Sequence, residues 1–421
     1  MWIIIIGAGV LGTATAWFLN QNGHDVHVID RATAAASETS FANGGLLHAS
    51  HAEPWNAPGV AGQLLRWLGR EDSPLLLRPG AIPGLARWGL GFLGNSRRSR
   101  FEQSTRDNTR LALYSLEVLR ELRRATGLRY DHRREGIVKV FRDERGLDKA
   151  LHAARLTSDL GLRYSALDAR QTVALEPSLA DVAHELVGSI YYPDDESGDA
   201  CLFARGLAAR AEAHGVRFEF DIEVERMLRD GDRISGLATS KGPRTADAYV
   251  LAAGSYSPLL ARSAGLRLPI YPVKGYSFTG PAAAWREAPT IAMIDDANKV
   301  VLSILGERVR MAGTAEFTGY DTGLRANRAE NVYRQVIKTF PSLADALGPG
   351  QLTAWCGLRP VTVDGRPLLG ATPLRNLHLN TGTGHLGWTF ACGAARLVAD
   401  GMDGREPALP LETFALTRRS G

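Results

Sequence analysis

The chain opens with Met1-Trp-Ile-Ile-Ile-Ile-Gly-Ala-Gly-Val-Leu-Gly12, an apolar run that leads directly into three glycines. The run predicts a buried β-strand, and the glycine spacing is that of a turn that binds a pyrophosphate at the start of a helix. Gly7 permits the tight turn, Gly9 lets the backbone approach the phosphates, and Gly12 lets the helix pack on its strand. The positive end of the helix then faces the phosphates. This stretch therefore predicts a binding site for an adenine dinucleotide.

A carboxylate follows at the position expected for ribose recognition. The apolar run His24–Ile29 predicts a second strand, and Asp30 ends it at about the twenty-residue spacing of a ribose-binding acid. Such a side chain accepts hydrogen bonds from the ribose 2′-hydroxyl, and its charge disfavours a 2′-phosphate. The segment up to Asp30 therefore predicts a Rossmann-like unit.

The size and composition of the chain limit what else it contains. Its 421 residues exceed what one hydrophobic core usually holds, so we expect two domains. The net charge is only +4, and the interleaved aromatic and basic residues of a nucleic-acid surface are missing. Cys201, Cys356 and Cys392 are odd in number and lack metal spacing, so we expect structural thiols and no metal site.

Later segments alternate between two kinds of pattern. The buried run Ala248–Ala253 predicts a return to the nucleotide sheet, whereas the strands after Pro269 look antiparallel. An amphipathic helix over Phe101–Ala125 is expected in the second domain. We therefore predict an α/β fold, α+β overall, with a Rossmann-like cofactor domain interleaved with an antiparallel-sheet substrate domain. The expected ranges are 1–90, 195–265 and 352–421 for the cofactor domain, and 91–194 and 266–351 for the substrate domain.

Two further segments have less specific patterns. Segment 54–100 combines Trp and Leu, including Leu64, Leu65 and Trp67, with later arginines. It predicts either packing between the domains or an interfacial patch that enters a membrane near anionic headgroups. The loop Tyr191–Asp199 is rich in acids, which we interpret as solvated turn residues. Because no signal peptide or spanning segment is evident, we expect a cytoplasmic protein, or one held peripherally at the inner face of the cell membrane.

Several motifs together resemble one superfamily of flavoproteins. They are Ile6–Gly12, Val28–Arg31, Glu38–Gly44, Pro54–Gly59, Pro272–Tyr276, Gly357–Gly365 and Leu386–Thr389. On these motifs, which span nearly the whole chain, the sequence resembles the D-amino acid oxidase and glycine oxidase superfamily. Within that superfamily it is most similar to the bacterial D-amino acid dehydrogenases. The resemblance implies FAD as the cofactor.

The resemblance also implies which residues surround FAD. Asp30 and Arg31 would contact the adenosine ribose, and Val224 would flank the adenine. The helix that begins near Gly387 would point its positive end at the flavin N1 and C2 carbonyl, where negative charge gathers on reduction. The residues expected to bind the cofactor are Gly7, Gly9, Gly12, Asp30, Arg31, Ser37, Thr39, Ser40, Asn43, Gly44, Gly45, Val224, Ala253, Gly254, Gly384, Gly387, Trp388 and Thr389.

Arg359 matches the family arginine that binds the substrate carboxylate, and a planar guanidinium suits bidentate binding of that group. With the carboxylate fixed, hydride transfer from the α-carbon to flavin N5 would give an imine, which water hydrolyses to a 2-oxo acid and ammonia. His48, His51 and His385 depart from the family pattern. Each is either a structural hydrogen-bonding group or a catalytic group that adapts the pocket to a secondary amine such as a D-proline derivative, or helps to deprotonate the substrate.

The preferred hypothesis is an FAD-dependent dehydrogenase of D-amino acids that passes electrons to a quinone or another acceptor. One alternative is an oxidase or dehydrogenase of D-proline, hydroxy-D-proline, glycine or sarcosine on the same fold. Another is a non-catalytic flavin-binding subunit. A nicotinamide dehydrogenase is disfavoured by the hydroxyl-rich loop and the glycine-rich C-terminal return.

Overall fold

The computed structural model describes residues 1–62, 71 and 73–418. Leu64, Leu65 and Trp67 of the predicted apolar patch lie outside the described residues. The α-helices with defined bounds are α1 Val10–Gln21, α2 Ile82–Gly94, α3 Arg98–Thr126, α4 Glu144–Ser158, α5 Ala169–Leu175, α6 Ala200–Ala213, α7 Ser257–Ser263, α8 Ala326–Val336, α9 Ser342–Ala346 and α10 Gly387–Met402. Within the described ranges, none of these helices is both long and apolar enough to cross a bilayer.

In the described part of the chain, the strands form two large sheets and two short ribbons. In chain order they are β1 Trp2–Ile6, β2 Asp25–Ile29, β3 Leu46–Leu47, β4 Leu75–Leu77, β5 Ile137–Phe141, β6 Ser165–Leu167, β7 Gly188–Tyr192, β8 Glu196–Ser197, β9 Arg217–Glu219, β10 Val224–Asp230, β11 Arg233–Thr239, β12 Ala248–Leu251, β13 Ile270–Pro281, β14 Ala292–Asp295, β15 Val300–Leu305, β16 Arg308–Phe317, β17 Thr353–Thr362, β18 Leu368–Ala371 and β19 Leu377–Thr381.

The first sheet is the Rossmann-like sheet that the opening of the chain predicts. Its described strands are ordered β18-β19-β12-β1-β2-β9, and β1 pairs in parallel with both β12 and β2. Ile3 and Ile5 pack on one face of the sheet with α1, α6 and α10, whereas Ile4 and Ile6 pack on the other face with the β10-β11 ribbon and α7. Both faces of β1 are thus buried, which explains its uninterrupted apolar run.

The second sheet is mixed but mostly antiparallel, as expected for the substrate domain. Its described strands run β17-β13-β16-β15-β14-β5-β7-β6, and β4 pairs with β16. The fold-class prediction is therefore confirmed. Two strands do not belong to the sheet that their expected domain implies. The ranges 1–90 and 352–421, expected for the cofactor domain, contain β4 and β17, but both strands hydrogen-bond in the second sheet. The chain crosses between sheets after β17, because that strand pairs with β13 from Ile270↔Thr362 to Thr279↔Thr353.

Helix α3 also lies elsewhere than expected. It was predicted to belong to the second domain, but its apolar face shares a core with α10 and the first sheet. The two helices approach each other closely at Gly393 of α10, whose N–H donates to Ser115 Oγ at 2.9 Å. A Cβ at Gly393 would lie 2.7 Å from Ser115 Cα, so the two helices pack here without room for a methyl group.

The interpretation of the acids in Tyr191–Asp199 as solvated turn residues is wrong for three of them. Asp195, Glu196 and Asp199 are buried. Glu196 forms ion pairs with Arg120 and Arg123 of α3, and its pKa is lowered because these two charges outweigh the cost of burial. Asp199 accepts hydrogen bonds from the first N–H groups of α6. The acids therefore join this loop to two helices.

Substitution of Gly393 by alanine tests the contact between α3 and α10. Because the new Cβ overlaps backbone rather than a movable side chain, we expect Gly393→Ala to lower the free energy of unfolding by about 1–3 kcal/mol. The measurement is the urea midpoint followed by circular dichroism. The control is Gly84→Ala, at a helical glycine whose Cβ would meet nothing within 4 Å. Equal midpoints for the two variants would contradict the inferred close packing.

Candidate active site

A cavity of about 1230 Å³ lies where β1, β2 and β12 end and the second sheet begins. Small-molecule sites usually occupy about 300–1,000 Å³, so this volume accommodates a dinucleotide together with a second ligand. The sequence-predicted residues that line it are Gly7, Gly9, Asp30, Arg31, Thr39, Ser40, Asn43, Gly44, Gly45, His48, His51, Val224, Ala253, Gly254, Arg359, Gly384, His385, Gly387 and Trp388. The position is the usual one for ligands of open α/β sheets, outside the carboxyl ends of the strands.

The glycine turn has the geometry of a phosphate-binding turn. Gly7 has φ +108°, and a Cβ there would lie 2.7 Å from Ala252 O. A Cβ at Gly12 would lie 1.8 Å from Gly7 O, so Gly12 is a packing position and does not line the cavity. Gly9 caps α1 without a side-chain hydrogen bond, and Val10 N–H donates to Ser40 Oγ at 3.2 Å. The next N–H groups of the first turn are left for an anion.

Asp30 and Arg31 are held at the end of β2. The Asp30 carboxylate accepts hydrogen bonds from Ala8 N–H at 2.6 Å and Ala32 N–H at 2.8 Å. Burial raises the pKa of Asp30 above its usual value, although these two donors favour the ionised form. Each oxygen keeps a further lone pair for a ribose hydroxyl. The Arg31 guanidinium carbon lies 3.8 Å from the centre of the Tyr256 ring. These residues fit the adenosine half of FAD.

Three predicted cofactor residues lie outside the cavity lining. One of them is Gly12. The other two, Ser37 and Thr389, support the wall of the cavity. Ser37 Oγ donates to Ala34 O at 2.8 Å, and Thr389 Oγ1 accepts the His48 N–H at 3.2 Å. We therefore place Ser37 and Thr389 behind the residues that would contact FAD.

The opposite end of the cavity fits a flavin. Helix α10 begins at Gly387, and the preceding residue makes no side-chain capping bond, so its first N–H groups are available to the cavity. Gly384 has φ +57°, and the space around its absent Cβ is open. Backbone N–H groups at a helix start stabilise negative charge without a titrating side chain. This arrangement fits the expected position of the flavin N1 and C2 carbonyl.

Arg359 projects into the cavity without an acidic partner in the described part of the chain. Its Nη1 donates to Thr314 O at 3.0 Å, and its Cζ lies 5.6 Å from the centre of the Trp55 ring. Burial lowers the pKa of Arg359 to about 10, so the guanidinium remains charged at neutral pH. A desolvated cation costs several kcal/mol unless it is paired, so the site favours an anionic ligand.

Two residues that the sequence did not single out shape this position. A Cβ at Gly275 would lie 2.0 Å from Arg359 Nη1, so only glycine leaves room for the guanidinium. Thr314 has φ +56°, which is rare and strained for a β-branched residue, and its carbonyl is the acceptor for Arg359. Gly275 lies within one of the quoted motifs, but its role follows only from the pairing of β13 with β17.

The three predicted histidines meet on one wall of the cavity. The rings of His48 and His51 are 5.8 Å apart, and those of His51 and His385 are 5.5 Å apart. The His385 ring stacks on Trp55 at 5.4 Å. Burial lowers the pKa of His385 to about 3 and holds that of His48 well below its usual value. Both rings are therefore neutral at pH 7.

Glu53 joins this wall and was missed from the sequence. Its Oε2 lies 3.4 Å from His51 Nδ1. Burial opposes its charge, but His51 and the Lys139 ammonium outweigh that effect and lower the pKa of Glu53 to about 2. Nothing in the sequence distinguishes this acid from a surface glutamate, because its burial depends on strands that are distant in the chain.

The fold and cavity together define a flavin-dependent oxidoreductase: a Rossmann-like sheet, a dinucleotide-sized cavity and a cation beside its flavin end. The chain belongs to the FAD dependent oxidoreductase family known as DAO, whose model matches residues 3–401. It is 50% identical over 419 residues to a D-amino acid dehydrogenase of Paramagnetospirillum magneticum, covering 99% of each chain. A D-amino acid dehydrogenase of Dechloromonas aromatica is 46% identical over 412 residues, covering 97% of this chain and 98% of that one.

Solved structures share the fold at low identity. L-proline dehydrogenase from P. horikoshii superposes with a TM-score of 0.78 at 19% identity, over 99% of this chain and 96% of that one. Glycine oxidase from Geobacillus kaustophilus superposes with a TM-score of 0.75 at 24% identity, over 100% and 99%. The predicted superfamily and cofactor are thus confirmed, whereas the roles of individual residues remain predictions.

Replacement of Gly275 by alanine tests the space reserved for Arg359. Because the methyl group meets the end of a movable side chain, we expect Gly275→Ala to displace the guanidinium and leave the fold intact. Binding of benzoate, a carboxylate without an amine, should weaken at least about tenfold, which is the loss of one charge-assisted hydrogen bond. Benzoate titrations of the flavin spectrum measure this. Full benzoate affinity in a variant that retains FAD would contradict the assignment.

Proposed function

We propose that this protein is an FAD-dependent dehydrogenase that converts D-amino acids to 2-oxo acids and ammonia. The observation that carries the proposal is the Arg359 guanidinium, which faces the cavity and has no carboxylate partner among residues 1–62, 71 and 73–418. An amino acid supplies the missing carboxylate. The two named relatives, which match the chain over nearly its whole length, support the choice of D-amino acids.

In the proposed reaction the protein mainly binds and orients the substrate. FAD, when bound, supplies the two-electron oxidant. Arg359 binds the substrate carboxylate through parallel N–H donors, and Trp55 and the Thr314 carbonyl limit the movement of its guanidinium. Fixing the carboxylate restricts the orientation of the α-carbon, so that one enantiomer directs its C–H toward the oxidant. Water hydrolyses the resulting imine to the 2-oxo acid and ammonia.

The electrons then pass to a quinone or another acceptor. The side chains of helix α2 favour an apolar acceptor. Trp88 and Phe92 on its buried face line the cavity. On the same helix Ile82, Leu90 and Leu93 are 49%, 75% and 41% exposed, and Leu93 also lines the cavity. Large exposed apolar side chains on a helix that flanks the cavity suit peripheral contact with a lipid surface. We propose this contact as the route by which an apolar acceptor arrives.

Anaerobic reduction of the flavin tests the proposed reaction. The panel contains D- and L-alanine, D-methionine, D-phenylalanine, D-proline, hydroxy-D-proline, glycine and sarcosine. We expect D-amino acids to bleach the oxidised flavin band, with colour restored by a quinone-like dye and only slowly by air. Fast recovery in air indicates an oxidase, and reduction only by glycine, sarcosine or the proline substrates selects one of those alternatives. If no amine bleaches the band, the protein is a flavin-binding subunit.

Arg359→Lys tests the role of the guanidinium in this reaction. Lysine keeps the charge but loses the planar pair of donors, so we expect the Kd for the substrate to rise about tenfold to a hundredfold. FAD content should not change. The readout is the substrate dependence of the anaerobic reduction rate, and the matched control is Arg170→Lys on the surface. An unchanged Kd would exclude Arg359 as the carboxylate-binding group.

Vesicle flotation tests the proposed membrane contact. The double variant Ile82→Ser/Leu90→Ser removes exposed apolar area and should float with vesicles at least about tenfold less than the unsubstituted protein. The control, Val187→Ser/Leu202→Ser, changes two exposed apolar residues that are not part of α2. Vesicles of phosphatidylcholine with and without phosphatidylglycerol separate apolar from electrostatic attraction. Equal flotation of the two double variants would contradict a contact through α2.

A further inference from the structure

Arg31 and Tyr256 meet across the cofactor end of the cavity. Arg31 follows β2, and Tyr256 ends the turn after β12, so the two residues come from strands on opposite sides of β1. The guanidinium carbon of Arg31 lies 3.8 Å from the centre of the Tyr256 ring, which is the geometry of a cation–π contact. Because neighbouring strands are about 4.8 Å apart, the two side chains together span roughly 10 Å. Their contact therefore bridges the crevice at the glycine turn that follows β1.

This bridge lies between the cavity and solvent. Arg31, Glu38 and Tyr256 all line the cavity. The side chains of Arg31 and Glu38 are also 38% and 48% exposed, so they lie at its mouth. Exposed side chains change rotamer without any movement of the backbone. The position therefore suits a closure that opens while both sheets stay in place.

Two further contacts hold the bridge. Arg31 Nη2 donates to Glu38 Oε1 at 2.5 Å. Partial burial opposes the charge of Arg31, but Glu38 and Tyr256 outweigh this effect and raise its pKa. The ring of Tyr256 in turn lies 5.7 Å from that of Tyr320, which follows β16 of the second sheet. The bridge is thus tied to three segments that are distant in the chain and to both sheets.

The Arg31 guanidinium keeps hydrogen-bonding capacity for a ligand while it is held in this way. Glu38 accepts from one of its five N–H donors, so others remain for oxygen atoms in the cavity. FAD is the cofactor of this family, and a planar guanidinium binds phosphate oxygens well. The bridge therefore combines a group that can contact the cofactor with two groups that keep it in place.

We propose that the Arg31–Tyr256 bridge closes over the adenosine half of bound FAD, and that FAD is released only when this contact breaks. Tyr256 is then a positioning residue, because it acts on the cofactor through the Arg31 guanidinium. The proposal rests on FAD as the cofactor and does not depend on which amino acid is oxidised. Asp30 and the glycine turn recognise the cofactor, whereas the bridge governs how long it stays bound.

The test is the rate at which the holoenzyme exchanges its FAD for excess 5-deaza-FAD, which has the same adenosine half. The flavin that remains bound is identified by its absorbance after desalting. Tyr256→Leu keeps apolar bulk but removes the aromatic face, so we expect exchange to become about fivefold faster, the effect of losing one exposed cation–π contact. Tyr256→Phe keeps the ring and should exchange within about twofold of the unsubstituted protein.

The Kd for FAD separates an open crevice from a distorted one. The fluorescence of free FAD over a dilution series of the holoenzyme gives the Kd, and the dissociation rate divided by the Kd gives the association rate. Without the bridge, FAD should leave faster and enter no more slowly. The association rate of Tyr256→Leu should therefore equal or exceed that of the unsubstituted protein, whereas a distorted site would bind FAD more slowly.

Arg31→Gln tests whether Tyr256 acts through Arg31. The single variant should speed FAD release at least as much as Tyr256→Leu, because it removes the guanidinium itself. In the double variant, Tyr256→Leu should add less than about twofold, since the group that it positions is already gone. The matched control is Tyr191→Leu, at a half-buried tyrosine of β7 that does not line the cavity, and it should leave the exchange rate unchanged.

Three outcomes overturn the proposal. Exchange that is no faster in Tyr256→Leu shows that the bridge does not retain FAD. A lower association rate shows that the variant distorts the site. Effects that multiply fully in the double variant show that Tyr256 acts independently of Arg31. No amine substrate enters these measurements, so failure to oxidise D-amino acids would overturn the proposed function and leave this inference standing.

Discussion

The Arg359 guanidinium is held in the cavity without an acid to neutralise it among the described residues, and the edge of the second sheet is built around this charge. Taking such a cation out of water costs several kcal/mol unless it is paired. The described structure offers it one backbone carbonyl, from Thr314, and one indole face, from Trp55. Gly275 contributes by having no side chain, since a Cβ would lie 2.0 Å from Nη1. The strain of Thr314 at φ +56° is a further cost of this arrangement.

The position of Arg359 depends on the cofactor side of the cavity as well as on its own strand. The carbonyl of Leu358 accepts hydrogen bonds from Thr39 Oγ1 at 2.7 Å and Ser255 Oγ at 2.9 Å, and both donors come from the cofactor domain. On the other side, Gly384 N–H donates to Pro360 O at 2.9 Å. The residues before and after Arg359 are thus tied to loops at the carboxyl ends of the first sheet. A movement of these loops would therefore move the backbone on both sides of Arg359 with them.

The sequence predicted those parts of the fold in which a residue pattern is compatible with only one local structure. An apolar run followed by a glycine turn must be a buried strand before a phosphate-binding helix, and β1 and α1 follow that expectation. The structure brings Arg359 and the three histidines into one cavity, and their catalytic roles stay predictions. The predictions failed for residues whose burial and hydrogen bonds depend on partners that are distant in the chain. The sequence around Asp195 predicts a turn with a solvated acid. The residue is buried instead, because its loop packs beneath β3, and its carboxylate accepts the Ala49 N–H.

Gly275 and Glu53 were missed for a related reason. The role of Gly275 depends on its position opposite the strand that carries Arg359, and sequence alone does not give the register of β13 against β17. The low pKa of Glu53 depends on His51 and Lys139, the latter on β5, far away in the chain. Single acids and glycines are common in loops, so their number and spacing carry little information. The contacts of Gly275 and Glu53 follow only from the side chains that the fold places around them.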